Sequence, residues 1–385
     1  NDFQISGSGL LTENTRVHSG KIYGPQYHPE IKDGINLIGI SFKNNRFLSK
    51  FSFKNQWINY KSESPFTPLI DANHNLKIYK IDNEVISSSF SFFNRNILSK
   101  SHSNSTFPAD TSSIQSHFGF TFRNFNSFLN LHFTGRTVFE YKLKPIHSYE
   151  LILTRFIGNK FQFSGIYSRN FKKPNFNDLY WKPFGNANLK TEYSDNFYFN
   201  SEINLHPVKL NLLSYFITYQ NMIIWLPKPG NQDYWSPDNI QSTTAKGHTA
   251  KLSIIDFKST NSTFSISKNS TINQKTKSQI AYTPEWNLNW KYNYHYNNFY
   301  LSFSYNYQSL RFINYTNYDG KSFRTIPAYS TIDFSTNYKF ELFQYQSSIG
   351  FLINNLTNTR FQSVYGYPEP GRSYELQLTI IKRKK

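Results

Sequence analysis

Residues 167–192 read YSRNFKKPNFNDLYWKPFGNANLKTE and concentrate groups that could anchor a molecule. Arg169 and Lys172 stand near one end, Asp178 in the middle and Glu192 at the close, so opposite charges could tie the base of this stretch. Asp178 is followed by Tyr180 and Trp181, which sets an acid beside aromatic rings, and Asn186 follows a glycine. Further aromatics and amides fall in other polar stretches: Phe184, Trp225, Tyr234, Trp235, Tyr315, Tyr318 and Tyr365. Rings of this kind bury much area at low entropic cost and are common anchors of binding surfaces. The candidate contacts for a small-molecule ligand are therefore Asp178, Tyr180, Trp181, Asn186, Tyr234, Trp235, Tyr318 and Tyr365. Arg169, Pro174, Glu192, Gly371 and Arg372 are expected to hold loops and strand starts, with Gly371 permitting a backbone turn.

Other chemistry lacks its signature. The ten histidines, at 18, 28, 74, 102, 117, 132, 147, 206, 248 and 295, form no pair at metal-binding spacing. Cysteine is absent, which excludes thiolate sites and disulfides. No Gly-rich phosphate loop, Gly-x-Ser-x-Gly elbow or metalloprotease motif occurs. Ser, Asp and His are abundant, and triads are set by geometry, so a hydrolase is the enzyme alternative; a serine-directed covalent probe discriminates it. The expectation is a protein that is not an enzyme, with no cofactor and no metal.

The elements that must position these residues are strands. From Trp286, every second residue is apolar or aromatic: Trp286, Leu288, Trp290, Tyr292, Tyr294, Tyr296. The residues between are Asn287, Asn289, Lys291, Asn293 and His295. The pattern resumes with Leu301, Phe303, Tyr305 and Tyr307, then with Ile332, Phe334, Thr336, Tyr338 and Phe340. Side chains of a strand alternate between faces, so each run is a ribbon with one aromatic and one polar face. Ten steps of ~3.3 Å at a tilt of about 40° rise about 25 Å, the height of the apolar band on an outer-membrane barrel with its two aromatic girdles. The fold class expected is all-β, an antiparallel transmembrane β-barrel.

Composition agrees. Only 38% of residues are hydrophobic, yet 18% are aromatic, with 37 Phe and 28 Tyr. A barrel wall needs an apolar residue only at alternate positions, whereas a disordered chain is poor in aromatics. No run of about 18 apolar residues exists to make a membrane helix. The net charge of +18 suggests an anionic counterpart. Its Lys and Arg are scattered, without a basic helix or nucleic-acid motif, so lipopolysaccharide or an anionic ligand fits better than nucleic acid.

Long polar loops alternate with short turns, and about eighteen strands are counted. Tight turns are expected at 43–45, 158–159, 206–207 and 297–298, and long loops at 62–75, 172–192, 226–242, 310–328 and 357–371. The chain leads from Asn1-Asp2-Phe3 directly towards a strand, so its natural N-terminus is expected to lie upstream.

Three stretches resemble the TonB-dependent outer-membrane receptors, especially their cobalamin-receptor-like branch. The first is the 167–192 segment, similar to that family's Arg-x-x-x-x-Pro-x-x-x-(Asp/Glu)-Leu … Gly-Asn-x-x-Leu-Lys-x-Glu pattern. The second is AYTPEWNLN at 281–289, and the third is NNLTNTRFQSVYGYPEPGRSYELQLTI at 354–380. They stand in the family's order and cover about half the chain well. The resemblance implies that residues 1–385 are a C-terminal barrel portion, beginning near the fifth of the family's twenty-two strands, without the plug and TonB box. It further implies that the loops at 172–192, 226–242, 310–328 and 357–371 lie outside a Gram-negative cell. By its charge alone, Arg372 could pair with lumen carboxylates. The implied activity is import of a scarce cobalamin or ferric-siderophore ligand with energy from TonB. Implied partners are TonB, outer-membrane lipid and lipopolysaccharide, the ligand, and a surface lipoprotein. A passive porin, and a glycan or peptide importer with a lipoprotein lid, are the transport alternatives. The basic ending Ile381-Lys382-Arg383-Lys384-Lys385 departs from the family's aromatic terminus.

Overall fold

The computed structural model describes residues 4–17, 30–64, 67–104, 110–124, 129–140, 144–181, 184–228, 231–257, 259–313 and 325–382. Strands come first: β1 (Gln4–Val17), β2 (Glu30–Lys43), β3 (Phe47–Ser64), β4 (Thr67–Ile86) and β5 (Phe90–Ser103). β6 (Asp110–Asn124), β7 (Asn130–Glu140), β8 (Ile146–Ile157) and β9 (Phe161–Lys172) lead to a short helix, α1 (Phe176–Tyr180). β10 (Glu192–Leu205), β11 (Val208–Lys228), β12 (Asn231–Phe257) and β13 (Thr260–Asn273) follow. β14 (Trp286–Tyr296) and β15 (Phe299–Gln308) precede the small β16 (Arg311–Phe312) and β17 (Thr325–Ile326). The chain closes with β18 (Tyr329–Leu342), β19 (Tyr345–Asn354), the small β20 (Gln362–Val364) and β21 (Tyr367–Pro368), and β22 (Ser373–Lys382). Eighteen of these strands belong to one hydrogen-bonded sheet, while β16–β17 and β20–β21 are separate ribbons.

One compact unit comprises residues 1–154, 166–197 and 218–243. Within it β1 to β8 each pair antiparallel with the next. The registers align Ile38, Phe53, Tyr79, Leu98 and Ile114 in one row on one face. They align Lys50, Asp82, Arg95 and His117 in a row on the other. A slip of one residue in any strand would exchange these faces, so the hydrophobic pattern fixes the register. Turns carry the expected chemistry: the Asn44 side chain accepts from the Arg46 and Phe47 amides at 2.9 and 2.7 Å, closing the hairpin between β2 and β3.

The second unit comprises residues 155–165, 198–217 and 244–385. Here Tyr292, Phe303, Phe334, Ile353 and Tyr374 form one cross-strand row over β14, β15, β18, β19 and β22. Lys291, Ser304 and Asp333 form the row beside it on the opposite face. The β14–β15 turn places Asn297 at φ 50°, a left-handed conformation that asparagine accepts readily in a two-residue hairpin.

The strands form a single layer, so apolar side chains stay accessible instead of filling a core. Phe51 is 43% exposed, Trp290 39% and Phe351 40%. Apolar faces this extensive require an apolar surrounding. No helix among the described residues is long and apolar enough to cross a membrane.

Two expected loops are extended ribbon instead. β3 and β4 continue through most of 62–75, and β11 and β12 through the described residues of 226–242 despite Pro227 and Pro237. A strand that extends past the sheet as a hairpin uses its amides at alternate positions, so proline is tolerated where no ladder bond is needed. The expected loop at 357–371 contains the β20–β21 ribbon, and most of 310–328 lies outside the described residues.

Candidate functional site

Pro174 and Asn175 start α1 where β9 ends. Asn175 caps the helix: its side chain accepts from the Asp178 amide at 2.9 Å, and the Asp178 carboxylate accepts from the Asn175 amide at 2.9 Å. This reciprocal box stabilises a helix too short to persist alone. Asp178 is buried, only 4% exposed, and its other oxygen accepts the indole N–H of Trp225 from β11 at 2.9 Å. Both carboxylate oxygens are thus occupied, which meets the cost of burying the acid.

The segment then turns back on itself. The Gly185 amide donates to the Trp181 carbonyl, and the Asn186 amide to the Asp178 carbonyl at 2.7 Å. A Cβ on Gly185 would stand 2.7 Å from the Trp181 nitrogen and 2.9 Å from the Leu179 carbonyl, so only glycine fits this approach. Trp181 packs against Phe184 and Trp225, with ring centroids 5.1 and 5.7 Å apart. The Asn186 side chain donates to the Pro237 carbonyl at 3.2 Å, joining the 172–192 stretch to β12.

Asn239 completes that joint. Its side chain accepts from the Lys190 amide at 2.7 Å and donates to the Lys190 and Asn221 carbonyls at 3.1 and 2.7 Å. Glu192 accepts from the Ile223 amide at 2.8 Å. Three chain segments are therefore locked by side chains bonded to backbone, a rigid base for exposed tips.

Charges do tie this base, through other partners than the sequence suggested. Arg169 reaches Asp195 at 3.3 Å, not Asp178 or Glu192, and its guanidinium lies 5.7 Å from the Tyr193 ring. Tyr167 donates to the same Asp195 at 3.1 Å. Lys173, just beyond β9, contacts Glu140, and burial lowers its ammonium pKa from the ordinary value.

In the second unit, the 281–289 and 354–380 stretches both attach to residues 311–312, the Tyr282 amide donating to the Phe312 carbonyl at 2.7 Å. Ile280, Ala281, Ile313 and Ile326 are buried. Arg311, 5% exposed, donates to the Ser363 and Gln362 carbonyls at 3.1 and 2.7 Å and lies 5.6 Å from the Tyr329 ring. Asn355 folds the final loop by accepting from the Thr359 amide and donating to the Thr359 carbonyl, both at 2.9 Å. Gly371 serves close approach: a Cβ there would stand 2.8 Å from Asn358 Oδ1, which instead accepts the Arg372 amide at 3.0 Å. It is Gly366 that takes the left-handed turn, at φ 84°. Arg372 is exposed and forms no ion pair among the described residues.

Asp178, Trp181 and Asn186 come together, with Tyr180 beside Phe176 at a ring distance of 6.3 Å. Trp235 is half-buried on β12, and Tyr365 is exposed between β20 and β21. Tyr234 lies on β12, whereas Tyr315 and Tyr318 fall outside the described residues. Asn239, Asp195 and Arg311 were not anticipated. A charge inside the apolar tripeptide Leu310-Arg311-Phe312 was the one available signal.

Residues 109–356 match the family described as TonB dependent receptor-like, beta-barrel. The chain belongs to that family. TonB-dependent receptor barrels are multi-pass proteins of the Gram-negative outer membrane, and that is where this chain resides. Two vitamin B12 transporters are similar over part of the chain. BtuB of Vibrio vulnificus is 38% identical over 82 residues, covering 20% of this chain and 12% of its own length. BtuB of Photobacterium profundum is 40% identical over 84 residues, covering 20% and 13%. Among solved structures, the siderophore receptor PirA from Acinetobacter baumannii superposes with a TM-score of 0.72 at 13% identity, over 91% of this chain and 62% of that one. The ferric enterobactin receptor PfeA of Pseudomonas aeruginosa gives 0.72 at 12% identity, over 98% and 69%. The fold is thus the antiparallel β-barrel of these receptors, and the chain spans about two thirds of their length.

Proposed function

We propose that this TonB-dependent receptor barrel serves the active import of a scarce ligand of the cobalamin or ferric-siderophore class across the outer membrane. Local identity of 38% and 40% to two vitamin B12 transporters, within a chain of the receptor family, is the observation that supports it. The locked base around Asp178, Asn186 and Asn239 holds neighbouring tips at fixed spacing, so a ligand would meet preorganised rings and amides. In this reading Tyr180, Trp181 and Trp235 contact the ligand. TonB supplies energy through a plug segment. Membrane lipid and lipopolysaccharide surround the wall, and a surface lipoprotein is a further partner. The work is binding and gating; no covalent step is involved.

The test is a titration of the purified full-length protein with cyanocobalamin and, separately, with ferric siderophores, followed by tryptophan fluorescence. Saturable binding of one class is expected. A protein that binds neither and conducts ions steadily in a planar bilayer is a passive pore.

A further inference from the structure

The polar face of β3 to β7 carries a charge arrangement that the import reading does not use. Lys50, Asp82, Arg95 and His117 stand in one cross-strand row, and Arg136 is diagonal to His117 because it pairs with Gly119. Lys50, Asp82, Glu84, Phe93, Arg95 and Arg136 line a pocket of about 290 Å³. Its positive charge exceeds its negative. Asp82 is shared, one oxygen taking Arg95 Nε at 2.5 Å and the other Lys80 Nζ at 2.6 Å. Glu84 is the second acid, set opposite Phe93 across the strand pair. Three lining cations, Lys50, Arg95 and Arg136, thus face two lining carboxylates, and Lys80 outside the lining holds one of them.

Arg136 is held ready without a carboxylate. Its Nε donates to Ser148 at 3.2 Å, and its guanidinium lies 5.2 Å from the Phe171 ring. Among the described residues no acid pairs with it or with Lys50. His117 Nε2 meets Gln115 at 3.2 Å, while its Nδ1 is buried with no hydrogen-bond partner. Phe93 fills the space above Gly119, where a Cβ would stand 2.3 Å from its ring, and so gives the pocket an apolar side. A clamped guanidinium has little freedom left to lose on binding, and its fork matches planar or tetrahedral oxyanions.

We infer that this pocket binds a small oxyanion, the carboxylate or phosphate group of a solute at the inner face of the wall, with Arg136 and Arg95 as its main donors. Lys50 adds long-range attraction, and Glu84 disfavours groups carrying more than one close negative centre. The inference does not depend on which ligand the receptor imports.

Calorimetric titration of the full-length protein with inorganic phosphate, and then with acetate, tests it, chloride being adjusted to hold ionic strength constant. Saturable binding is expected for at least one of the two, and the stronger one identifies the group. Arg136→Gln should weaken it at least tenfold, Arg136→Lys by a smaller factor, and Lys291→Gln on β14 should leave it unchanged. Heat signals that match chloride alone for both anions overturn the inference, as does an Arg136→Gln protein that binds like the wild type. If Arg136→Gln does not fold, the wild-type comparison with chloride and the Arg136→Lys variant decide.

Discussion

Trp225 on β11 donates its indole N–H to Asp178 on α1 at 2.9 Å, across 47 residues of sequence. That one bond fixes the turn after β9 to the hairpin beside it, and Trp181 packs at a tilt against the Trp225 ring, with centroids 5.7 Å apart. Replacing Trp225 with phenylalanine keeps most of the ring contact and strands a buried carboxylate oxygen. The expected loss is about 1–3 kcal/mol of stability, read by urea unfolding from lipid vesicles. An unchanged unfolding midpoint would mean that the pair contributes nothing.

Gly185→Ala probes the same base from the backbone. The added methyl would press on main-chain atoms at 2.7 and 2.9 Å, which cannot rotate away. Faster hydrogen exchange is expected at residues 178–186, with the strand amides unchanged and ligand binding weakened. Wild-type exchange throughout would show that the turn relaxes at no cost.

The two faces of β14 should respond oppositely to charge. Tyr292 lies in the apolar row with Phe303, and Asn293 accepts a hydrogen bond from Ser302 at 2.9 Å on the other face. Tyr292→Arg should cost roughly 2–4 kcal/mol near the midplane and Asn293→Arg far less. Equal losses in a folding titration would reject the assignment of faces.

Tyr282 gives a pH dependence outside the strands. It takes φ 61° in the turn before β14, and burial raises its phenol pKa above 10.0. The folded protein therefore holds this proton more tightly than the unfolded chain. Its contribution is complete below pH about 10 and is lost as pH rises through the folded value. Tyr282→Phe should flatten the alkaline fall of the melting temperature. An identical fall in the variant would assign it to other groups.

The strands were legible because a period of two is a local property. Trp286 to Tyr296 announced β14 without any knowledge of its neighbours, and Gly158, Asn44 and Asn297 marked turns by their own backbone preferences. Pairing was not legible. Arg169 stands nearer in sequence to Asp178, yet the barrel register delivers it to Asp195 on β10. Pro227 and Pro237 read as breakers because proline lacks an amide, a loss that matters only where a ladder bond is required. Asn239 gave no signal, since its partners Lys190 and Asn221 meet it only after three segments fold together.

Energised uptake tests the central claim most directly. The full-length receptor is expressed in an outer-membrane host lacking its own cobalamin and siderophore receptors, and accumulation of labelled cyanocobalamin and ferric siderophores is followed with TonB present and absent. The account predicts concentrative uptake of one ligand class that disappears without TonB or when the inner-membrane proton gradient is collapsed. Uptake that continues undiminished without TonB, or a failure to accumulate either class despite a folded barrel in the membrane, would contradict it.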